Sequence, residues 1–298
     1  MTSSSSAIPA TAATSRSDFR FFHRLRVRWA EVDMQKIVFN AHYLMYFDTA
    51  IADYWRTLAL PYEESMASLG GDLYVKKATV EFNASARMDD VLDVAMKCVR
   101  VGNSSIVFHG GLFRTDELLV TCELIYVFAD PATQTSRPVP NELRAIFAAY
   151  EAGEPMATIE IGDWQKLGSG AGELRRAVFV KEQRIPEALE WDEHDVTALH
   201  AVARNRLGRV IGTARLIREA PGLARIGRMA VHRALRGCGH GESVLRALEA
   251  AAVARGDHEV TLHAQRSAEA FYRRLGYSPY GEPFDEAGIA HIEMRRPL

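Results

Sequence analysis

Cysteine is scarce in this chain: Cys98, Cys122 and Cys238 lie far apart in 298 residues and without metal-ligand spacing. An odd, sparse set excludes a disulfide framework and fits a reducing compartment, so a cytoplasmic protein is expected. Long apolar runs are missing too. None approaches the roughly 20 residues that a transmembrane helix needs, and no membrane partner is expected. The opening MTSSSSAIPATAATSRS has no apolar core of the kind a secretory signal carries. Charge of one sign is not in surplus. The net charge is -2; divided after Glu151, the first part holds 15 Lys+Arg against 18 Asp+Glu and the second 21 against 20. Neither part is basic enough to hold nucleic acid by charge alone. No His, Asp or Glu set has convincing ligand spacing, so no metal is expected. A Gly-Lys-Ser/Thr loop and a Gly-x-Gly-x-x-Gly fingerprint are also absent, which weakens nucleotide readings.

What is present is ordinary globular material, 48% hydrophobic and 25% charged. The length suggests about two domains. Residues 1–17 read as a disordered tail and residues 18–151 as one domain. Residues 152–157, with Gly153 and Pro155, read as the linker, and residues 158–298 as a second domain.

The most informative stretch is RIGRMAVHRALRGCGHGESVL, Arg225–Leu245. Ile226, Met229 and Val231 predict a strand with a bulge. Arg236-Gly237-Cys238-Gly239-His240-Gly241 predicts a glycine-rich turn, and Val244, Leu245, Leu248, Ala251 and Ala252 a helix. Strand, glycine turn and helix start together make an anion nest. First-turn N–H groups have no intrahelical acceptor, the helix dipole favours negative charge, and glycines allow close backbone approach.

In the first half, Phe19–Trp29 reads as a strand. Leu44, Phe47, Ile51, Trp55 and Leu58, three or four apart, predict an amphipathic helix over Ala41–Leu58. Four strands follow: Gly71–Asn83, Asp93–Gly102, Ser105–Thr115 and Leu118–Ala129, with Gly102-Asn103 and Asp116-Glu117 as hairpin turns. A helix packed into a curved antiparallel sheet is the expected α+β layout.

The run Arg28–Leu44, RWAEVDMQKIVFNAHYL, resembles the opening of hot-dog acyl-CoA thioesterases of the 4-hydroxybenzoyl-CoA thioesterase type. That resemblance covers about residues 18–151 and implies catalytic roles for Asp33, Asn40 and Tyr43, Asp33 serving as nucleophile or as general base for water. It also implies a homodimer or homotetramer through this half. Lys36 departs from the pattern, standing where the family has glycine. From the residues alone, Asp33 reads equally as a loop carboxylate capping nearby N–H groups. Asn40 reads as a helix cap, and His42 as a packed histidine or a substrate-facing one.

In the second half, Arg236, Gly239 and Gly241 hold the fixed positions of Arg/Gln-x-x-Gly-x-Gly/Ala, and Phe271-Tyr272-Arg273-Arg274-Leu275-Gly276-Tyr277 a second signature. With VFVKEQRIP, EWDEHDVTALHAV and AGIAHIEM they resemble the ElaA/YjcF-like branch of the GNAT N-acetyltransferases over residues 158–298. The resemblance implies an α/β domain with a mixed sheet and acetyl-CoA as co-substrate. Met229, Ala230 and Val231 would lie along acetyl-pantetheine, Val231 N–H polarising the acetyl carbonyl. Arg236, Gly237, Cys238, Gly239, His240 and Gly241 would take the pyrophosphate, and Tyr272 would act as the acid at the thiolate. His200, His263 and His291 are candidate bases, Gln265 a candidate contact. Glu190, Asp192 and Asp195 read as an amine-attracting or a solvated acidic loop. The two resemblances together imply an acyl-CoA thioesterase fused to an N-acetyltransferase acting on a small-molecule or peptide amine. The alternatives are a non-catalytic hot-dog module, which would dimerise or bind acyl-CoA, and a CoA-ester sensor.

Overall fold

The computed structural model describes residues 15–298; the first fourteen residues of the expected tail lie outside the described residues. The chain divides into two compact units; along the sequence the division falls between Glu154 and Pro155, except that Ala59–Pro61 group with the second unit. The last residues of the expected tail are ordered. A 3-10 turn spans Arg16–Asp18, and Arg16 donates to Asp93 at 2.5 Å while lying over the Phe22 ring.

The first unit runs β1 (Phe21–Arg26), α1 (Asn40–Thr57), α2 (Tyr62–Leu69), β2 (Asp72–Phe82), β3 (Val91–Val101), β4 (Ser105–Arg114), β5 (Glu117–Ala129) and α3 (Asn141–Glu151). One antiparallel sheet has the order β1-β3-β4-β5-β2. Helix α1 buries Phe47, Ala50 and Tyr54, residues spaced three and four apart on one face. It comes so close to β4 that a Cβ on Gly110 would stand 2.6 Å from the Phe47 ring. Fully burying a side chain such as Phe47 contributes about 1.5–3 kcal/mol. The Tyr54 hydroxyl donates to Glu151 Oε1 at 2.8 Å, and the Cys98 N–H donates to the same oxygen at 3.0 Å. The end of α3 therefore ties α1 to β3. Sequence periodicity missed α2, whose eight residues are too few for a clear helical stripe.

The second unit runs β6 (Ala157–Gly162), α4 (Trp164–Arg175), α5 (Glu187–Glu190), α6 (His194–Thr197), β7 (Leu199–Asn205), β8 (Val210–Ala220) and β9 (Leu223–Val231). Then come α7 (His240–Ala254), β10 (Glu259–Gln265), α8 (Glu269–Arg274), β11 (Ser278–Glu286) and β12 (Ile289–Pro297). The seven-stranded sheet has the order β11-β12-β10-β9-β8-β7-β6. Strands β9 and β10 are parallel and pair over three residues only, Leu223–Arg225 with Glu259–Thr261. Beyond them the two strands part, which opens the sheet. Helix α4 starts six residues before the expected Gly170, where the Asp163 side chain caps it by accepting the Lys166 N–H at 2.9 Å, and its glycines sit in tight contacts. A Cβ on Gly168 would meet the Trp164 ring at 2.7 Å, and one on Gly170 would meet Val210 at 2.6 Å. The helix continues as a π-helix over Arg176–Glu182, a form frequent at functional sites. Strand β11 was not foreseen. Pro279, Gly281 and Pro283 disguise it, and such residues are tolerated because it is an edge strand with a register shift between Tyr280 and Phe284.

Candidate functional sites

In the first unit the segment before α1 is a closed loop. Val32 and Val38 form an isolated bridge, the Asp33 N–H donates to Ile37 O at 2.9 Å, and the Lys36 N–H donates to Asp33 O at 3.0 Å. Asp33 Oδ1 accepts the Gln35 N–H at 2.8 Å, an Asx turn that fixes the carboxylate. Lys36 adopts φ +63°, the left-handed conformation that favours glycine. The lysine therefore keeps the backbone path that a glycine would give.

A residue the sequence reading passed over anchors this loop. Glu31 is buried; it accepts the Tyr46 hydroxyl at 2.8 Å, the Arg28 N–H at 2.8 Å and Arg28 Nε at 2.7 Å. Burial pushes its carboxyl up, but hydrogen bonds from Arg28 and Tyr46 outweigh that and hold it below the usual carboxylate range. Its own carbonyl accepts the Phe39 N–H at the entrance to α1.

The helix N-cap is Phe39, with no side-chain cap, so Asn40 is the first helical residue and not the cap. Its first-turn N–H groups have no side-chain acceptor. Tyr43 is buried, and its hydroxyl accepts the Ala86 N–H at 2.9 Å, which fixes the loop leading to Met88. Burial raises its pKa. The His42 ring sits edge-on to Phe39. Trp29 is 80% exposed and Met34 fully exposed, so the Asp33 loop is flanked by uncovered apolar surface.

In the second unit the site forms where β9 and β10 part. Opposite β8, Ala230 pairs with Thr213 and Gly227 with Arg215, leaving Arg228 and Met229 without register partners. This is the expected bulge, and Arg228 stands at φ +51° within it. The glycine turn follows, with Gly237 at φ +84° and Gly239 at φ +86°. Gly239 is the N-cap of α7 and offers no side chain to its first-turn N–H groups. Gly241 allows close packing, since a Cβ there would meet Met229 and Val231 at 3.3 Å. The Arg236 guanidinium is held away from the turn: its two Nη atoms reach Glu182 at 2.7 and 2.8 Å. Cys238 is exposed. His240 Nε2 is buried without a hydrogen-bond partner, and burial lowers the pKa of that ring.

A cavity of about 680 Å³ occupies the parting of the strands, lined among others by Met229, Tyr272, Gln265, His263, His291 and Glu286. The Tyr272 hydroxyl points at Met229 Sδ, 3.3 Å away, and burial pushes its pKa up to about 12. Such a phenol is protonated at neutral pH and so is available as a proton donor. Gln265 Nε2 donates to Gln183 Oε1 at 3.0 Å across the π-helix side of the cavity.

His200 does not reach the cavity. It is buried against Trp164, with Nε2 donating to Asp195 O at 2.8 Å. In the acidic stretch Glu190 and Asp195 are buried and Asp192 is partly exposed, and all three are engaged by arginines. Buried Arg175 donates to Glu190 Oε1 at 2.5 Å and to Asp195 Oδ1 at 2.6 Å, and Arg215 bonds both Asp192 and Asp195. Burial pushes Asp192 up, but Arg215 and Arg228 outweigh it and hold its pKa at about 2. Among the described residues no group of three His, Cys, Asp or Glu could hold a metal ion, and no helix is long and apolar enough to cross a membrane.

Comparison with known proteins agrees with this division. Residues 143–298 match the family model described as Acetyltransferase (GNAT) domain, and residues 27–147 the one described as Thioesterase-like superfamily. The uncharacterized N-acetyltransferase YjcF of Bacillus subtilis is 35% identical over 124 residues, 41% of this chain and 87% of that protein. The acyl-CoA thioester hydrolase YbgC of Escherichia coli is 27% identical over 124 residues, 41% of this chain and 92% of its own length. Escherichia coli ElaA, a solved structure, is 27% identical with a TM-score of 0.43, covering 47% of this chain and 99% of that one.

Proposed function

The chain belongs to the acetyltransferase (GNAT) domain family and carries a thioesterase-like domain before it, and from that premise we propose a bifunctional enzyme of CoA thioesters. The second unit transfers an acetyl group from acetyl-CoA directly to an amine; the first hydrolyses an acyl-CoA. The observation that carries the reading is the cavity at the parting of β9 and β10, with the bulge at Arg228–Met229 on one wall and the Tyr272 hydroxyl inside it.

Acetyl-CoA lies along Met229–Val231 with its pyrophosphate on the first-turn N–H groups of α7 and the Gly237–Gly241 turn. The bulge leaves Met229 without a register partner on β8. The Val231 N–H polarises the acetyl carbonyl. The amine attacks as the neutral base, the carbon–sulfur bond breaks, and Tyr272 gives the leaving thiolate its proton. Pyrophosphate recognition here is a backbone property. Arg236 serves the site by holding Glu182 and, through Nε, Val231 O at 3.2 Å.

In the first unit Asp33 activates water or attacks the thioester, and the uncapped start of α1 polarises the carbonyl. Lys36 is compatible with this because it keeps the left-handed turn. The exposed Trp29 and Met34 beside Asp33 are the surface that a second copy covers, which supports a homodimer or a larger homo-oligomer. The experiment is thiol release from short, long and aromatic acyl-CoAs without any amine. Hydrolysis lost in Asp33→Ala and kept in Tyr272→Phe establishes the first unit as the thioesterase. No release from the wild type across the panel leaves that unit as an acyl-CoA-binding or oligomerising module.

A further inference from the structure

One wall of the cavity holds chemistry that neither the glycine turn nor Tyr272 explains. On β10, His263 lies two residues past Thr261, the last residue paired with β9, and so stands on the open side of the parting. Its Nδ1 is 3.1 Å from Glu286 Oε2 on β11, and its ring is edge-on to Phe284 at 4.9 Å. A carboxylate only accepts, so Nδ1 carries the proton, and in the neutral ring the lone pair lies on Nε2. His291, on β12 between Gln265 and Phe284 in register, donates from Nδ1 to Ile289 O at 2.7 Å and stacks on Phe284. It closes the wall as a mostly buried neighbour, whereas the His263 side chain is 33% exposed and has a path for a proton to water.

Charge distinguishes this wall from the opposite one. The cavity guanidinium groups are already engaged: Arg215 with Asp192 and Asp195, Arg228 with Glu190 and Asp192, Arg225 with Glu219. Glu286 and Asp285 have no Arg or Lys in their described ion pairs; Glu286 faces His263, and Asp285 accepts the Gly288 N–H. The hydrogen bond from His263, with the charges of His263, His291 and Arg228 nearby, outweighs burial and holds Glu286 below the usual carboxylate range, so it stands as a carboxylate.

We infer that His263, positioned by Glu286, is the general base of the transferase, and that the β11 wall receives the acceptor as a primary ammonium ion. The inference rests on the acetyltransferase reading above. His263 Nε2 takes one proton from R–NH3+ and passes it to water. The neutral amine forms the C–N bond to the acetyl carbon as the C–S bond breaks. The second nitrogen proton replaces the one that Tyr272 has given to the thiolate, so the products are the amide, CoA thiol and one released proton.

The test uses the full chain, acetyl-CoA and three primary amines: benzylamine, 1,4-diaminobutane and the side chain of a lysine-containing tripeptide. Acetylated product is counted by mass spectrometry, which ignores hydrolysis. His263→Ala is expected to lower turnover by about 10²–10⁴-fold, with added imidazole restoring part of it and the thermal unfolding curve unchanged. His263→Asn is expected to lose turnover likewise, and Glu286→Gln to raise KM for the amine. Wild-type turnover in His263→Ala, or a loss in folded protein that imidazole does not restore, overturns the assignment of the base. If the wild type acetylates none of the three amines, the transferase reading fails first, and the inference falls with it.

Discussion

The two candidate sites are built from different parts of the chain. In the first unit the proposed reacting group is one side chain, Asp33, set on a five-residue loop that a single buried carboxylate, Glu31, holds against α1. In the second unit the proposed recognition surface is backbone: a bulge, two left-handed glycines and an uncapped helix start. Behind that backbone stands a buried network in which Arg175 and Arg215 share Asp195. A side-chain site is lost by one substitution that leaves the fold intact. A backbone site yields only where a substitution changes the path of the chain.

That contrast can be broken at its strongest point. Asp33→Ala should cut thioester hydrolysis by about 10²–10⁴-fold with the unfolding curve unchanged, measured by thiol release. Tyr272→Phe should lower acetyl transfer on the order of 10²-fold while leaving the KM for acetyl-CoA nearly as it was, measured from initial rates. Gly239→Val places a β-branched residue at φ +86°. The strain of about 1–2 kcal/mol should appear as a roughly tenfold rise in KM for acetyl-CoA.

The supporting networks give smaller effects. Asp192 is held at about 2, below its ordinary value. A depressed carboxylate stabilises the fold above the unfolded-state pKa, and that contribution is lost as pH falls through the folded-state value. Because Asp192 is partly exposed, the loss is on the order of 1 kcal/mol after allowance for solvent screening. Acid titration of the second unit, followed by circular dichroism, should show it, and Asp192→Asn should flatten it. The smallest effect belongs to Lys36→Gly. Relief of the left-handed strain, offset by the entropy of glycine, should stabilise the first unit by about 0.5–1 kcal/mol, read from thermal melts, with hydrolysis retained.

Much of this was legible in the residues. The α1 stripe from Leu44 to Leu58 and the glycine turn after Val231 are local patterns; the structure places α1 within one residue of its expected bounds and starts α7 at His240, inside the expected turn. The departures have physical reasons. Glycine normally signals a loop, yet Gly168 and Gly170 lie inside α4 because Trp164 and Val210 crowd them. Proline normally ends strands, yet β11 tolerates two at a sheet edge. The acidic stretch around Glu190 read as amine-attracting or solvated because its partners, Arg175 and Arg215, are 15 and more residues away. Glu31 and the pairing of His263 with Glu286 were invisible for the same reason, since contacts between distant elements leave no periodicity.

The central claim is that one chain carries two separable reactions on CoA thioesters. It is tested most directly by giving wild type, Asp33→Ala and Tyr272→Phe an acyl-CoA panel that includes acetyl-CoA, together with a primary amine, and counting acetylated amine and hydrolysed thioester in the same samples. The account predicts a crossed result: Asp33→Ala loses hydrolysis and keeps transfer, and Tyr272→Phe does the reverse. If either substitution removes both products from a folded protein, or neither removes any, the two units do not work as separate enzymes.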